Sequence, residues 1–190
     1  MVTSVALYLA GLGALYLERL AELHVSRRHA RLAFAAGGVE SGRRHYALMV
    51  SVHALFPLAC GLEVVLLHRA FPGTLGVMAL LAALAAQALR WWVVATLGWR
   101  WNTRIIVVPG AGVITSGPYR WLRHPNYLAV MVESLAVPLI HGAWLSAACF
   151  GLANAALLGL RIPAEERALG QVWATALGGK PRFLPGVPRA

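Results

Sequence analysis

Five apolar stretches divide this chain, and almost all of its charge lies in the segments between them. They cover residues 2–17, 46–67, 74–97, 127–140 and 143–160. A helix that crosses a bilayer's hydrocarbon layer needs about 20 mostly apolar residues. The stretches match or approach that length, although 127–140 is short. Only His141-Gly142 separates the last two, so they read as a helical hairpin. A water-soluble globule is excluded by composition. The chain is 59% hydrophobic and 13% charged, against about 45–50% and about 25% in soluble domains. Disordered chains are apolar-poor, so disorder is excluded too. Cys60 and Cys149 both lie inside apolar stretches, which rules out a disulfide scaffold. The first stretch has no basic leader and reads as an uncleaved span. The expectation is an all-α, polytopic integral membrane protein with about five transmembrane helices and a C-terminal helix, in one domain over residues 1–190.

The net charge of +10 comes from sixteen Arg, one Lys and seven acids, all Glu. In a soluble protein that balance would suggest nucleic acid. Beside membrane spans it marks the cytoplasmic side, and no nucleic-acid partner is expected. Arg19, Arg27, Arg28, Arg31, Arg43 and Arg44 lie between the first two stretches. Arg90, Arg100, Arg104, Arg120 and Arg123 lie between the third and fourth, and Arg161, Arg167, Lys180, Arg182 and Arg189 follow the fifth. Sixteen of the seventeen basic residues thus fall on one side, leaving Arg69 alone on the other. The positive-inside rule then puts the N-terminus outside, and both large loops and the C-terminus in the cytoplasm. The implied location is the cell membrane, the inner membrane in a bacterium.

Polar chemistry collects in two places. The stretch 99–126 is broken by Pro109-Gly110, Gly112 and Gly117-Pro118, with β-branched pieces at 105–108 and 113–114 that suit extended backbone. Trp99, Trp101 and Trp121 suit the headgroup level. At its end, His124 and Asn126 bracket Pro125, which suits a first helical position whose free amides can hold an anion. Glu133 shares a helical face with Asn126, about 10 Å into the span. A carboxyl at that depth is either functional or a protonated partner for a neighbouring helix. His53 and Glu63 in the second stretch pose the same question. The second cluster is 161–167, where Pro163 is expected to open a new helix that runs to Leu177 and stops at Gly178-Gly179. Glu165 and Glu166 would occupy its first turn, favoured there by the helix dipole or used to bind a cation, with Arg161 offering a fork to an anion.

Together these clusters resemble the isoprenylcysteine carboxyl methyltransferase family and, more distantly, the phospholipid methyltransferases. The resemblance spans roughly residues 99–185. It rests on a Thr-Ser-Gly-x-Tyr turn (115–119), Arg-His-Pro-x-Tyr (123–127), a helical hairpin and Arg-x-x-x-Glu-Glu (161–166). Arg-His-Pro-Asn-Tyr also resembles a run in membrane sterol reductases, and the Glu pair at this distance makes the match specific. The resemblance implies that 1–98 supplies N-terminal spans and 99–190 a catalytic core, with an S-adenosylmethionine pocket facing the cytoplasm and opening sideways to lipid. Cofactor contacts would come from Ala111, Gly112, Val113, Ile114, Tyr119, His124, Pro125, Asn126, Tyr127 and Glu165, and Arg161 would face the substrate. No metal is implied. Ala129 stands where the family usually has Gly, and Trp173 matches only part of a late aromatic pair. Gly-Gly-Val-Glu (37–40) and His45-Tyr46 look like bacterial members, some of which methylate alkylpyrones or alkylresorcinols.

The expected activity is therefore O-methylation of a carboxyl or hydroxyl on a lipophilic small molecule or prenylated acceptor. Phospholipid N-methylation and non-catalytic lipid binding are the alternatives. Methyl transfer from a sulfonium needs alignment and a dry site more than covalent help. A carboxylate acceptor would need only Arg161 as a clamp. A phenol would profit from a base, for which Glu133 or His124 could serve.

Overall fold

The structure, a computed structural model, describes residues 2–183. Arg189 and the end of the 99–185 resemblance lie outside the described residues. Five helices form the body: α1 (Val2–Ala35), α2 (Arg43–Leu66), α3 (Thr74–Leu97), α4 (Pro125–Leu139) and α5 (Trp144–Leu177). Between them lie a small antiparallel pair, β1 (Val39–Ser41) with β2 (Ile105–Val107), and short 3-10 turns at Gly98–Arg100 and Gly117–Arg120.

Four of the helices, α1, α2, α3 and α5, are long and apolar enough to cross a membrane. Their outer faces carry exposed leucine and methionine, among them Leu62, Leu66, Met78, Leu81 and Leu84. A water-facing surface does not hold so much apolar area. The fourth of the five expected helices is short, as its sequence indicates. Its 15 residues rise only about 22 Å. Pro125 begins this helix, and it ends in a turn at His141-Gly142 before α5. Leu135 is its one exposed residue, because α4 is packed between α3 and α5. Its surroundings are protein, so it does not need the length of a lipid-facing span.

Two helix boundaries depart from expectation. α1 does not stop at Leu17 but runs on to Ala35, 34 residues in all, about 51 Å. Glu18, Arg19 and Glu22 stay helical because each finds a polar partner on a neighbouring helix or within α1. Pro163 does not open a new helix, and Glu165 and Glu166 are not in a first turn. α5 runs through Pro163, which lies inside it. The break falls at Gly170, at φ 71° and ψ −167°, a conformation essentially confined to glycine. The stop at Leu177 is as expected.

At the end of the bundle where α1 meets α2, the β pair ties the α1–α2 connection to the 98–124 segment, Glu40 opposite Ile106. The piece at 105–108 is extended as expected, while 113–114 forms no strand. At the opposite end, Glu63 accepts hydrogen bonds from the Leu145 and Ser146 amides (3.1 and 2.7 Å) and the Ser146 hydroxyl (2.8 Å). It also pairs with Arg69 at 2.9 Å. Glu63 therefore caps the first turn of α5 with a carboxylate, where the helix dipole favours one.

Candidate functional site

A cavity of about 520 Å³ opens between the 98–124 segment and the helices below it, within the usual range of about 300–1,000 Å³ for small-molecule sites. Ala111, Gly112, Val113 and Ile114 line one wall as irregular backbone. Tyr119, His124, Asn126 and Tyr127 come from the turn and the start of α4, and Arg161 and Glu165 face them from α5. Of the candidate binding and catalytic residues of the two sequence clusters, Pro125, Glu133 and Glu166 do not line it. Pro125 is buried as the first residue of α4.

The folding of this corner is local. Gly117 sits at φ +56°, and a Cβ there would run into Thr96 at the end of α3, so only glycine lets the turn lie against that helix. The turn carries Tyr119 into the cavity wall, where burial and then the nearby Glu165 carboxylate hold its phenol above the usual range. The Tyr127 hydroxyl donates to Glu165 and accepts from Arg161 Nε at 3.0 Å. Arg161 Nη2 donates to the Thr103 carbonyl, and the guanidinium lies 6.0 Å from the Tyr127 ring centre. Arg161 thus braces α4 and the loop while it lines the cavity.

His124 is 4% exposed. Its ring stacks on Tyr127 at 5.4 Å and tilts against Trp173 at 5.5 Å, and Nε2 lies 3.0 Å from Glu166. Glu166 also accepts from Arg182 at 2.7 Å. Past the break at Gly170 the chain closes this side. The Arg123 amide donates to Pro181 O (2.9 Å), the His124 amide to Arg182 O (3.3 Å) and Lys180 Nζ to Tyr119 O (2.8 Å).

Five buried polar atoms of cavity-lining residues have no hydrogen-bond partner among the described residues, the Nε of Arg19, Arg90 and Arg123 together with two others. Those two are Asn126 Oδ1, an acceptor, and Trp101 Nε1, a donor. Buried polar groups are rarely left so, and each invites a ligand group of the opposite kind.

The cavity extends further than the two sequence clusters, into residues of 1–98. Tyr16, Arg19 and Glu22 of α1, His53 of α2 and Arg90 of α3 line its deep end. Glu133 stands behind that wall and accepts from both Arg19 and Arg90 at 3.2 Å. Arg19 also pairs with Glu22, and Arg90 lies 3.7 Å from Glu22. Position in sequence alone could not reveal this cluster, because its members come from four helices. The only prior signal is that each is ionisable within an apolar stretch or at its edge. α1 holds the loop over the site as well: Ser26 bonds Asn102 and Thr103 (both 2.8 Å), and His29 donates to the Trp101 carbonyl (2.8 Å).

Residues 77–171, half of the chain, match the isoprenylcysteine carboxyl methyltransferase family. The match begins in α3 and ends one residue past the break at Gly170. An uncharacterized protein of Bacillus subtilis (strain 168), YpbQ, is 39% identical over 157 residues, 82% of this chain and 92% of that protein. An uncharacterized protein of Haemophilus influenzae is 27% identical over 156 residues, 82% of this chain and 90% of its own length.

Proposed function

Since the chain belongs to the isoprenylcysteine carboxyl methyltransferase family of membrane methyltransferases, we propose that it uses S-adenosylmethionine to methylate a carboxyl or hydroxyl oxygen on a lipophilic acceptor. The observation that carries this reading is the unpartnered, buried Asn126 Oδ1 in a cavity wall that also holds Glu165 and the backbone of 111–114. The cofactor's ammonium and ribose hydroxyls are donors suited to Asn126 Oδ1, and its adenine nitrogens and carboxylate are acceptors suited to Trp101 Nε1. The residues present therefore fit the group. Bound there, it would supply an activated methyl carried on a sulfonium.

The chain's own residues supply binding, alignment and dryness. Glu165 puts negative charge beside the cationic cofactor, and Tyr119, Tyr127 and Trp173 offer apolar faces. The 180–183 segment is bonded back to 119–124 beside the site. Alignment of two bound reactants is worth several kcal/mol in general, and no nucleophilic side chain is needed. The acceptor enters from the bilayer, with the loop end of the bundle facing the cytoplasm and the N-terminus outside, an orientation supported by the charge asymmetry.

The direct test incubates membranes that contain the protein with methyl-labelled S-adenosylmethionine and extracts the lipids. Label in an ester or ether that falls on Asn126→Ala supports the reading. Label in methylated phosphatidylethanolamine would replace it with N-methylation, and no label above empty membranes would overturn it.

A further inference from the structure

We infer that Asn154 of α5 binds a second hydroxyl, carried along the acceptor's hydrocarbon chain and distinct from the oxygen that is methylated. The identity of the occupant as a methyl acceptor rests on the reading above. Asn154 stands in an otherwise apolar run, Gly-Leu-Ala-Asn-Ala-Ala-Leu-Leu (151–158), and is 4% exposed. An amide at that depth in a membrane helix ordinarily bonds a neighbouring helix. Among the described residues no side chain or backbone group bonds this one, and it lines the cavity. Its amide is open to that space and is not among the polar atoms sealed in by packing. The partner it lacks is therefore a ligand's.

Asn154, Leu158, Arg161 and Glu165 follow one face of α5 and all line the cavity. Asn154 lies seven residues before Arg161, about 10 Å farther from the loop end. With the methylated oxygen at the cofactor end, the second group stands well down the acceptor's chain. His53 of α2 reaches the same level. Glu63 of α2 accepts from the Ser146 amide at 2.7 Å, and the two helices run in opposite directions from that tie. Ten residues back to His53 is about 15 Å, and eight residues on to Asn154 is about 12 Å. His53 Nδ1 donates to the Met49 carbonyl at 2.9 Å, so the neutral ring offers Nε2 as an acceptor. An amide that both donates and accepts, with a further acceptor at its level, suits a hydroxyl, which also does both. A carboxylate has little to gain there, because Arg19 and Arg90 already face Glu22 and Glu133. Leu157 and Leu158 beside Asn154 suit the adjoining hydrocarbon. No bond is made or broken at this subsite. The hydroxyl fixes how far the acceptor slides in, and so which oxygen reaches the methyl group.

The test is binding without turnover. Octadecan-1-ol is compared with octadecanediols whose second hydroxyl lies beside the first, in mid-chain or at the far end. Each is titrated into purified wild-type protein and N154L in detergent, and its affinity is read from the rise in melting temperature. Comparing the two proteins cancels partition into micelles. Relative to octadecan-1-ol, the mid-chain diol should bind wild-type protein roughly tenfold better than it binds N154L, and the other two diols should gain nothing. Leucine is close to the amide in size and leaves no polar group unpaired, so N154L without ligand should melt no lower than wild type. An equal preference in both proteins, or a gain at another position of the chain, would overturn the inference. N154L melting below wild type with its selectivity intact would make Asn154 a structural residue and overturn it too. Calorimetry with S-adenosylmethionine runs alongside. Absence of cofactor binding by wild-type protein would sink the methyltransferase reading, while a mid-chain preference lost in N154L would still assign the hydroxyl subsite. If N154L fails to fold, N154A replaces it.

Discussion

At the residue scale, the site is a matter of which polar atoms have partners. Asn126 Oδ1 has none among the described residues, so its removal leaves the protein's own bonds intact and subtracts one from a ligand. Asn126→Ala should weaken S-adenosylmethionine binding by roughly tenfold, the worth of one hydrogen bond. Calorimetry on purified protein checks this, and wild-type affinity would take Asn126 out of the site. Glu133 is the opposite case. It is 7% exposed, and two guanidiniums converge on it at 3.2 Å. Taking its charge away leaves buried Arg90 and half-buried Arg19 with Glu22 as their shared counter-ion, and breaking such pairs is costly. Glu133→Gln keeps the hydrogen-bonding shape, so the expected cost is about 1–3 kcal/mol of stability, with cofactor affinity retained. Thermal unfolding in detergent measures it, and an unchanged melting temperature would mean that Glu133 does not neutralise the arginines. The sequence showed that Glu133 needed a reason to lie within a span. It could not show that the reason includes Arg19 and Arg90, 114 and 43 residues away.

At the scale of elements, α5 carries a dependence that no periodicity reveals. The same helix presents Arg161 and Glu165 to the cavity and, beyond Gly170, brings Trp173 against His124. At φ 71° and ψ −167°, alanine at 170 would be strained by about 1–3 kcal/mol. The strain is relieved by straightening α5, which moves Trp173 off His124. Gly170→Ala should therefore lower cofactor affinity and melting temperature together. Gly159→Ala, where a Cβ meets open space in regular helix, should leave both unchanged or slightly raise stability. Equal behaviour of the two variants would show that the break does not shape the site. Pro163 was the visible punctuation in this segment, yet the helix runs through it. A proline removes one N–H, and a packed helix tolerates that; a glycine in a conformation closed to other residues breaks the helix.

At the scale of the whole molecule, the proposed orientation rests on the charge asymmetry. Reporter fusions after Gly38, Phe71 and Ala190 should read inside, outside and inside, and an outside C-terminus would overturn both the topology and a cytoplasmic cofactor site. The sequence by itself determined that the chain is helical and lives in a bilayer, because apolar runs without a charged shell have no other stable solvent. It also located the motif residues at 111–127 and 161–165, since their spacing and residue types are local properties. It misjudged the length of α1 and the break in α5, because Glu18, Arg19 and Pro163 look like ends until their partners are known. Only the tertiary structure decided that α4 is enclosed by protein, that Glu63 caps α5, and that Ser26 and His29 hold the loop over the cavity. It alone brought Arg19, His53 and Arg90 to the deep end of that cavity. These are pairings between residues far apart in the chain, and each depends on helix rotation and depth, which a hydropathy pattern leaves free.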